Sequence, residues 1–125
     1  MRQQYHFRES PDGLMAWDVF RLIALSKDFE IVEILLSDIR ELDEEFWYVF
    51  GECKPTCRNI IDHANLINNA DLSYPIILCS EGGVMDGMHR VCKAVLNGKK
   101  TINAVVFSEF INPDFIGVEP SELQY

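Results

Sequence analysis

Apolar residues along this chain fall into runs of differing period, and the period of each run predicts an element. Over residues 14–25, Met15, Trp17, Val19, Phe20, Leu22 and Ile23 occupy nearly every face of a helical projection. That predicts a helix packed on more than one side, set over residues 11–27, with Ser10-Pro11-Asp12-Gly13 as a turn or as its capped start. Residues 29–35 approximate alternation and predict a strand that leaves through a turn at 36–39. Ile60, Ile61, Ala64, Leu66 and Ile67 recur at helical spacing over 58–70, behind Thr56 as a good N-cap. The run 74–79, opened by Pro75, reads as a buried strand; Glu81-Gly82-Gly83 turns it, and Val84-Met85 returns. Val91, Ala94 and Val95 then repeat at helical spacing until Asn97-Gly98, a C-terminal stop. Residues 101–107 predict a further strand, and 108–125 an irregular tail laid over the surface. The expectation is a single small α/β (α+β) domain over 1–125, its core at 29–107 a mixed sheet with helices packed on it.

Charge and cysteine usage narrow the function classes. A formal net charge of -9 argues against broad contact with DNA or an anionic membrane, since both need basic surface. Arg90, Lys93, Lys99 and Lys100 still form a local basic group able to hold a small anion. No apolar run approaches a bilayer span and no signal-peptide pattern opens the chain, so a cytoplasmic location is expected. Cys79 and Cys92 fall in predicted core elements, so the four cysteines do not read as a disulfide framework. Cys53 and Cys57, with three residues between them and His63 further on, are badly spaced for a zinc site, and no metal centre is expected.

The chemistry concentrates at Asp86-Gly87-Met88-His89-Arg90, where a strand hands over to a helix. A helix N-terminus presents unpaired N–H donors and the positive end of a dipole, which favours anions. Gly87 lets a ligand approach the backbone, and His89 and Arg90 add side-chain donors, so a nucleotide phosphate suits the turn. The plain alternative makes His89 and Arg90 a helix-start pair bonded to surface carboxylates. Asp86 could orient Arg90, hold a magnesium ion with the nucleotide, or stabilise the turn. Lys93 could face the same phosphate or solvent. Trp47, Tyr48 and Phe50 read as core or lid residues, Trp47 and Tyr48 alternatively as stacking platforms for a base.

Strand, turn, Asp-Gly-x-His-Arg, a helix ending at Asn-Gly and a closing strand together resemble the ParB/sulfiredoxin-like superfamily. The likeness is strongest over residues 56–107, through Tyr74-Pro75-Ile76-Ile77 and Asp86-Gly87-Met88-His89-Arg90, with residues 32–39 similar to the family's first strand and turn. As a whole the chain is similar to small bacterial proteins loosely labelled ParB-like. The resemblance implies a nucleotide (ATP, ADP or CTP), with or without magnesium, whose phosphates would meet Gly87, His89 and Arg90. Thr56 would add a hydroxyl contact. It implies a general base among Asp43, Glu44 and Glu45, an acidic group that otherwise reads as a solvated loop. Sulfiredoxins carry a cysteine directly before the His-Arg pair; Met88 stands there and cannot act as a nucleophile. No DNA-binding helix-turn-helix is expected after residue 107.

Three function classes emerge. One is a nucleotide- or phosphate-binding domain with phosphotransferase or nucleotide-hydrolase activity. The second is a non-catalytic, nucleotide-gated regulatory or interaction module, with a homodimer or another protein as partner. The third is a structural or protein-binding domain that has lost ligand binding.

Overall fold

A computed structural model describes residues 3–49 and 53–125; Phe50, grouped above with Trp47 and Tyr48, lies outside them. Seven strands and three α-helices succeed one another along the described residues: β1 (Tyr5–Arg8), β2 (Met15–Asp18), α1 (Val19–Ser26), β3 (Val32–Leu35), α2 (Cys57–Asn68), β4 (Ile76–Leu78), β5 (Val84–Asp86), α3 (Met88–Leu96), β6 (Thr101–Val106) and β7 (Phe115–Ile116). The fold is a small α+β domain built on two sheets. The larger has the order β3-β6-β4-β5, with β6 and β4 parallel and the other pairs antiparallel, and the smaller is an antiparallel β1-β2-β7 sheet.

Within the large sheet β4 is buried on both faces, which is why it is an unbroken apolar run rather than an alternating one. Ile76 and Leu78 join Val84, Ile102 and Ala104 on the face covered by Met88, Val91 and Ala94 of α3. Ile77 and Val105 point the other way and pack with Trp17, Leu22, Met85 and Phe107. Period 2 along the strands thus splits one sheet between two cores.

Two expectations are corrected. The helix set over 11–27 begins only at Val19, because Met15–Asp18 is a strand. Ala16 and Trp17 are both buried, so apolar residues on every face reflect a strand enclosed on both sides as readily as a helix. Ser10–Gly13 turns the β1–β2 hairpin, with reciprocal 3.1 Å bonds between the two backbones, and Asp18 caps α1 through Oδ1, which accepts from the Phe20 N–H at 2.9 Å. The tail is not wholly irregular either. Phe115 and Ile116 pair with Ala16 and Met15, the Ile111 carbonyl accepts from Trp17 Nε1 at 2.7 Å, and Leu123 is buried.

Other local expectations match the backbone. Thr56 caps α2, its hydroxyl oxygen accepting from the Asn59 N–H at 3.1 Å. At the end of α3, Gly98 and Lys99 N–H donate to the Val95 and Ala94 carbonyls, the paired bonds of a Schellman stop. No helix of the described residues is long and apolar enough to cross a membrane.

Candidate functional site

An open cleft of about 870 Å3 runs between α1, the end of α2 and the start of α3. Its floor is Ile77 and Val105, its walls include Ile23, Phe29, Ile31, Leu66 and Tyr74, and Asp86, Gly87, His89 and Arg90 form part of the lining. The turn singled out in the sequence therefore opens onto this cleft.

Gly87 is the N-cap of α3, with φ +103° and no side-chain cap for the helix. The first N–H groups of α3 have no preceding turn to bond to, which leaves them as donors at this end of the cleft. A Cβ on Gly87 would lie 2.7 Å from Ile76 Cγ2 and 3.0 Å from Arg90 Nη2, so glycine is what lets the strand, the helix and the guanidinium meet. Arg90 is held in place: Nη2 donates to Asp86 Oδ2 at 2.8 Å and Nη1 to the Pro75 carbonyl at 3.0 Å. Asp86 thus orients Arg90, and a magnesium ion would have to compete with the guanidinium for it. Met88 turns its side chain into the core and can offer the cleft only its backbone.

His89 has His63 as its partner, a histidine whose place on the second helix left it facing either the site or the surface. Its Nε2 lies 2.8 Å from His63 Nδ1, and Trp47 stacks on both rings, with centroids 4.1 Å from His63 and 4.7 Å from His89. Burial, then the neighbouring His63, holds His89 down to about 4, while burial lowers His63 against a raising effect of Asp62. At neutral pH the pair is therefore uncharged and shares one proton along the hydrogen bond. When His63 is the donor, the proton of His89 sits on Nδ1 and His89 is a neutral donor rather than a cation.

The depressed value makes stability pH-dependent. The unfolded chain protonates His89 near 6.5 and the folded one only near 4. Its contribution is complete above 6.5 and is lost as pH falls from 6.5 towards 4. Thermal unfolding from pH 7 to pH 4 should show a shallower decline in His89→Asn than in wild type; parallel declines would refute the assignment. His6, pushed down to about 3 by burial and by Arg8, adds a similar slope to both proteins and cancels in the comparison.

The remaining candidates lie elsewhere. Thr56 does not line the cleft; its hydroxyl is used as the α2 cap. Asp43, Glu44 and Glu45 are exposed beside a 3-10 turn at Arg40–Asp43 and do not line the cleft either. The carboxylate turned inward is Glu41, whose Oε2 accepts from the Val84 N–H at 2.9 Å, while Oε1 is buried with no hydrogen-bond partner among the described residues. Lys93 ties down the end of α2, donating to the Asn68 and Ala70 carbonyls at 3.0 and 2.7 Å. Cys79 sits beside Arg8 and accepts from the Gly83 N–H at 3.3 Å, contacts that lower its thiol against the opposing effect of burial. Among the described residues no group of three or more His, Cys, Asp or Glu is arranged to hold a metal ion. Comparison with family models, with curated proteins and with solved structures finds no match for this chain in any of the three.

Proposed function

We propose that this protein binds a small phosphorylated ligand, in the first instance a nucleotide such as ATP, ADP or CTP, with its phosphate at Gly87-Met88-His89-Arg90 and its body in the adjoining cleft. The observation that carries this reading is the coincidence of the 870 Å3 cleft with the N-terminus of α3 and the oriented Arg90 side chain. Lys27, which has no ion-pair or hydrogen-bond partner among the described residues, lines the same cleft and adds a second cation.

The carboxylates of the cleft favour binding without turnover, the regulatory or interaction module, over phosphoryl transfer. Asp86 is paired with Arg90, and hydrogen bonds from Ser73 hold the Asp71 carboxyl below its usual range. Neither is free to take a proton from an attacking hydroxyl.

A thermal-shift panel of ATP, ADP, CTP, GTP and inorganic phosphate, with and without magnesium, tests the proposal on wild type, Arg90→Ala and Lys27→Ala. A ligand at one hundred times its Kd stabilises the native state by about 2.7 kcal/mol, enough to raise Tm by several degrees. The rise should vanish in Arg90→Ala and shrink in Lys27→Ala, whose exposed side chain leaves the fold intact. No rise with any phosphorylated compound would sink the reading.

A further inference from the structure

We propose that Cys79 is a reactive thiol that reduces small hydroperoxides, taking up their terminal oxygen as a sulfenic acid. Its site is the turn between β4 and β5, where Arg8, Glu41 and Cys79 meet around Gly83. It stands apart from the phosphate reading of the α3 turn and does not depend on it.

Three donors converge on one sulfur. The Gly83 N–H donates to Cys79 Sγ at 3.3 Å, and the Glu81 N–H and the Arg8 guanidinium bond to the same atom. A neutral thiol is a weak acceptor, whereas a thiolate is well matched to several donors at once. Arg8 is aimed from the smaller sheet: its Nε donates to His6 Nε2 at 2.9 Å, and its guanidinium lies 5.8 Å from the centre of the Trp17 ring. His6 is uncharged at neutral pH, and among the described residues Arg8 makes no ion pair with a carboxylate. The positive charge therefore faces the sulfur. Around it, Arg40 Nη2 donates to the Glu81 carbonyl at 3.5 Å, and the opposing carboxylate, Glu41, accepts from the Val84 N–H. Gly83 permits the approach, since a Cβ there would stand 2.9 Å from Arg8 Nη2 and 3.3 Å from Cys79 Sγ. Burial raises the Cys79 thiol, and the donors bring it below its ordinary value.

Cys79 is half-buried in a tight turn, which favours a small reactant. The thiolate attacks the terminal oxygen of the hydroperoxide, and the S–O bond forms as the O–O bond breaks. The hydroxyl passes to sulfur, the electron pair leaves on the other oxygen, and a proton from water completes the alcohol, or water where hydrogen peroxide reacts. Sulfur is oxidised by the two electrons that reduce the peroxide. The guanidinium beside the sulfur is placed to stabilise charge developing on the leaving oxygen. Glu41 reaches the same turn: its Oε2 would lie 3.3 Å from a Cβ on Gly83, and its Oε1 is buried with no partner among the described residues. A thiol offers such an acceptor only a weak S–H, whereas a sulfenic acid offers an O–H. Cys92 packs with the other core, so the reductant is a thiol from solution. It condenses with the sulfenic acid to a mixed disulfide, releasing water, and a second thiol frees Cys79.

Stoichiometric hydrogen peroxide, with dimedone to trap sulfenic acid and peptide mapping to place the label, tests this on the full chain. Cys79 should be labelled ahead of Cys53 and Cys57, although both of those are exposed. Arg8→Gln should slow Cys79 about tenfold, as expected for the loss of one hydrogen bond to a charged sulfur, and leave the other two unchanged. A second measurement needs no variant: alkylation of wild type by iodoacetamide across pH should level off at lower pH for Cys79 than for Cys53 or Cys57. Labelling of Cys53 or Cys57 before Cys79, or one common pH profile for all three, would overturn the proposal. So would an undiminished Cys79 rate in Arg8→Gln.

Discussion

Replacing Trp17 with alanine is expected to lower stability by about 4 kcal/mol, the typical cost of emptying a buried aromatic site. For a chain of this size that is a fall of roughly 15 °C in Tm. Trp17 is 1% exposed and stands at the junction of the two sheets. It belongs to the small sheet through β2, yet it packs against Ile77, Met85 and Val105 of the large one and against Phe107 just beyond β6. Its indole N–H donates to the Ile111 carbonyl, which would be left without that donor, and the Phe110 ring meets it edge-on at 6.2 Å. The loss is therefore of cavity, hydrogen bond and sheet-to-sheet contact together. Urea titration of Trp17→Ala beside Phe20→Ala, a half-exposed position on the adjoining helix, checks the number. A loss under about 1.5 kcal/mol for Trp17→Ala would mean that the small sheet folds independently of it.

Gly87→Ala should cost about 3 kcal/mol, from two additive causes. A Cβ at φ +103° carries the left-handed penalty of about 1–2 kcal/mol, and the same Cβ would stand 2.7 Å from Ile76 Cγ2. Ile76 is fully buried and cannot retreat without disturbing the core, which adds the usual 1–3 kcal/mol of overpacking. Gly98 provides the contrast: its φ is +73°, but a Cβ there meets nothing within 4 Å. Gly98→Ala should therefore cost only the conformational part, about 1 kcal/mol. Equal losses at the two positions would show that the close approach of Ile76 and Arg90 to Gly87 is not what demands glycine. Gly87→Ala should also weaken any ligand response beyond its effect on stability, because the same Cβ would sit 3.0 Å from Arg90 Nη2 and push the guanidinium from its place.

What the sequence disclosed depended on whether the signal was local. Thr56 as cap, Asn97-Gly98 as stop and Gly87 at a strand-to-helix handover are short-range features, and the backbone has all three in place. The strands of the large sheet were legible because β4 is an apolar run, β3 approximates alternation, and turn residues separate β4 from β5. The small sheet was not. β2 is enclosed by β1 on one side and β7 on the other, nearly a hundred residues away, and Met15–Asp18 alone cannot announce such partners. The site divides in the same way. Residues 86–90 were found because they are contiguous, Asp86 as the group orienting Arg90 among them, while their distant partners stayed among alternatives. The His63 partner of His89, the Trp47 cover and the Pro75 carbonyl that holds Arg90 come from three other parts of the chain. Glu41 escaped notice beside the denser acidic group at Asp43, Glu44 and Glu45, since nothing in the sequence tells an inward carboxylate from its solvated neighbours.

α2 contributes no fully buried residue, and polar contacts tie it down: Lys93 at the Asn68 and Ala70 carbonyls, Tyr48 at Asn59 and His89 at His63. One wall of the cleft is thus held by polar contacts, while its floor is apolar packing within the large sheet. The two therefore answer differently to acid: protonating both His63 and His89 would remove the hydrogen bond between α2 and α3, whereas Ile77 and Val105 carry no group that titrates.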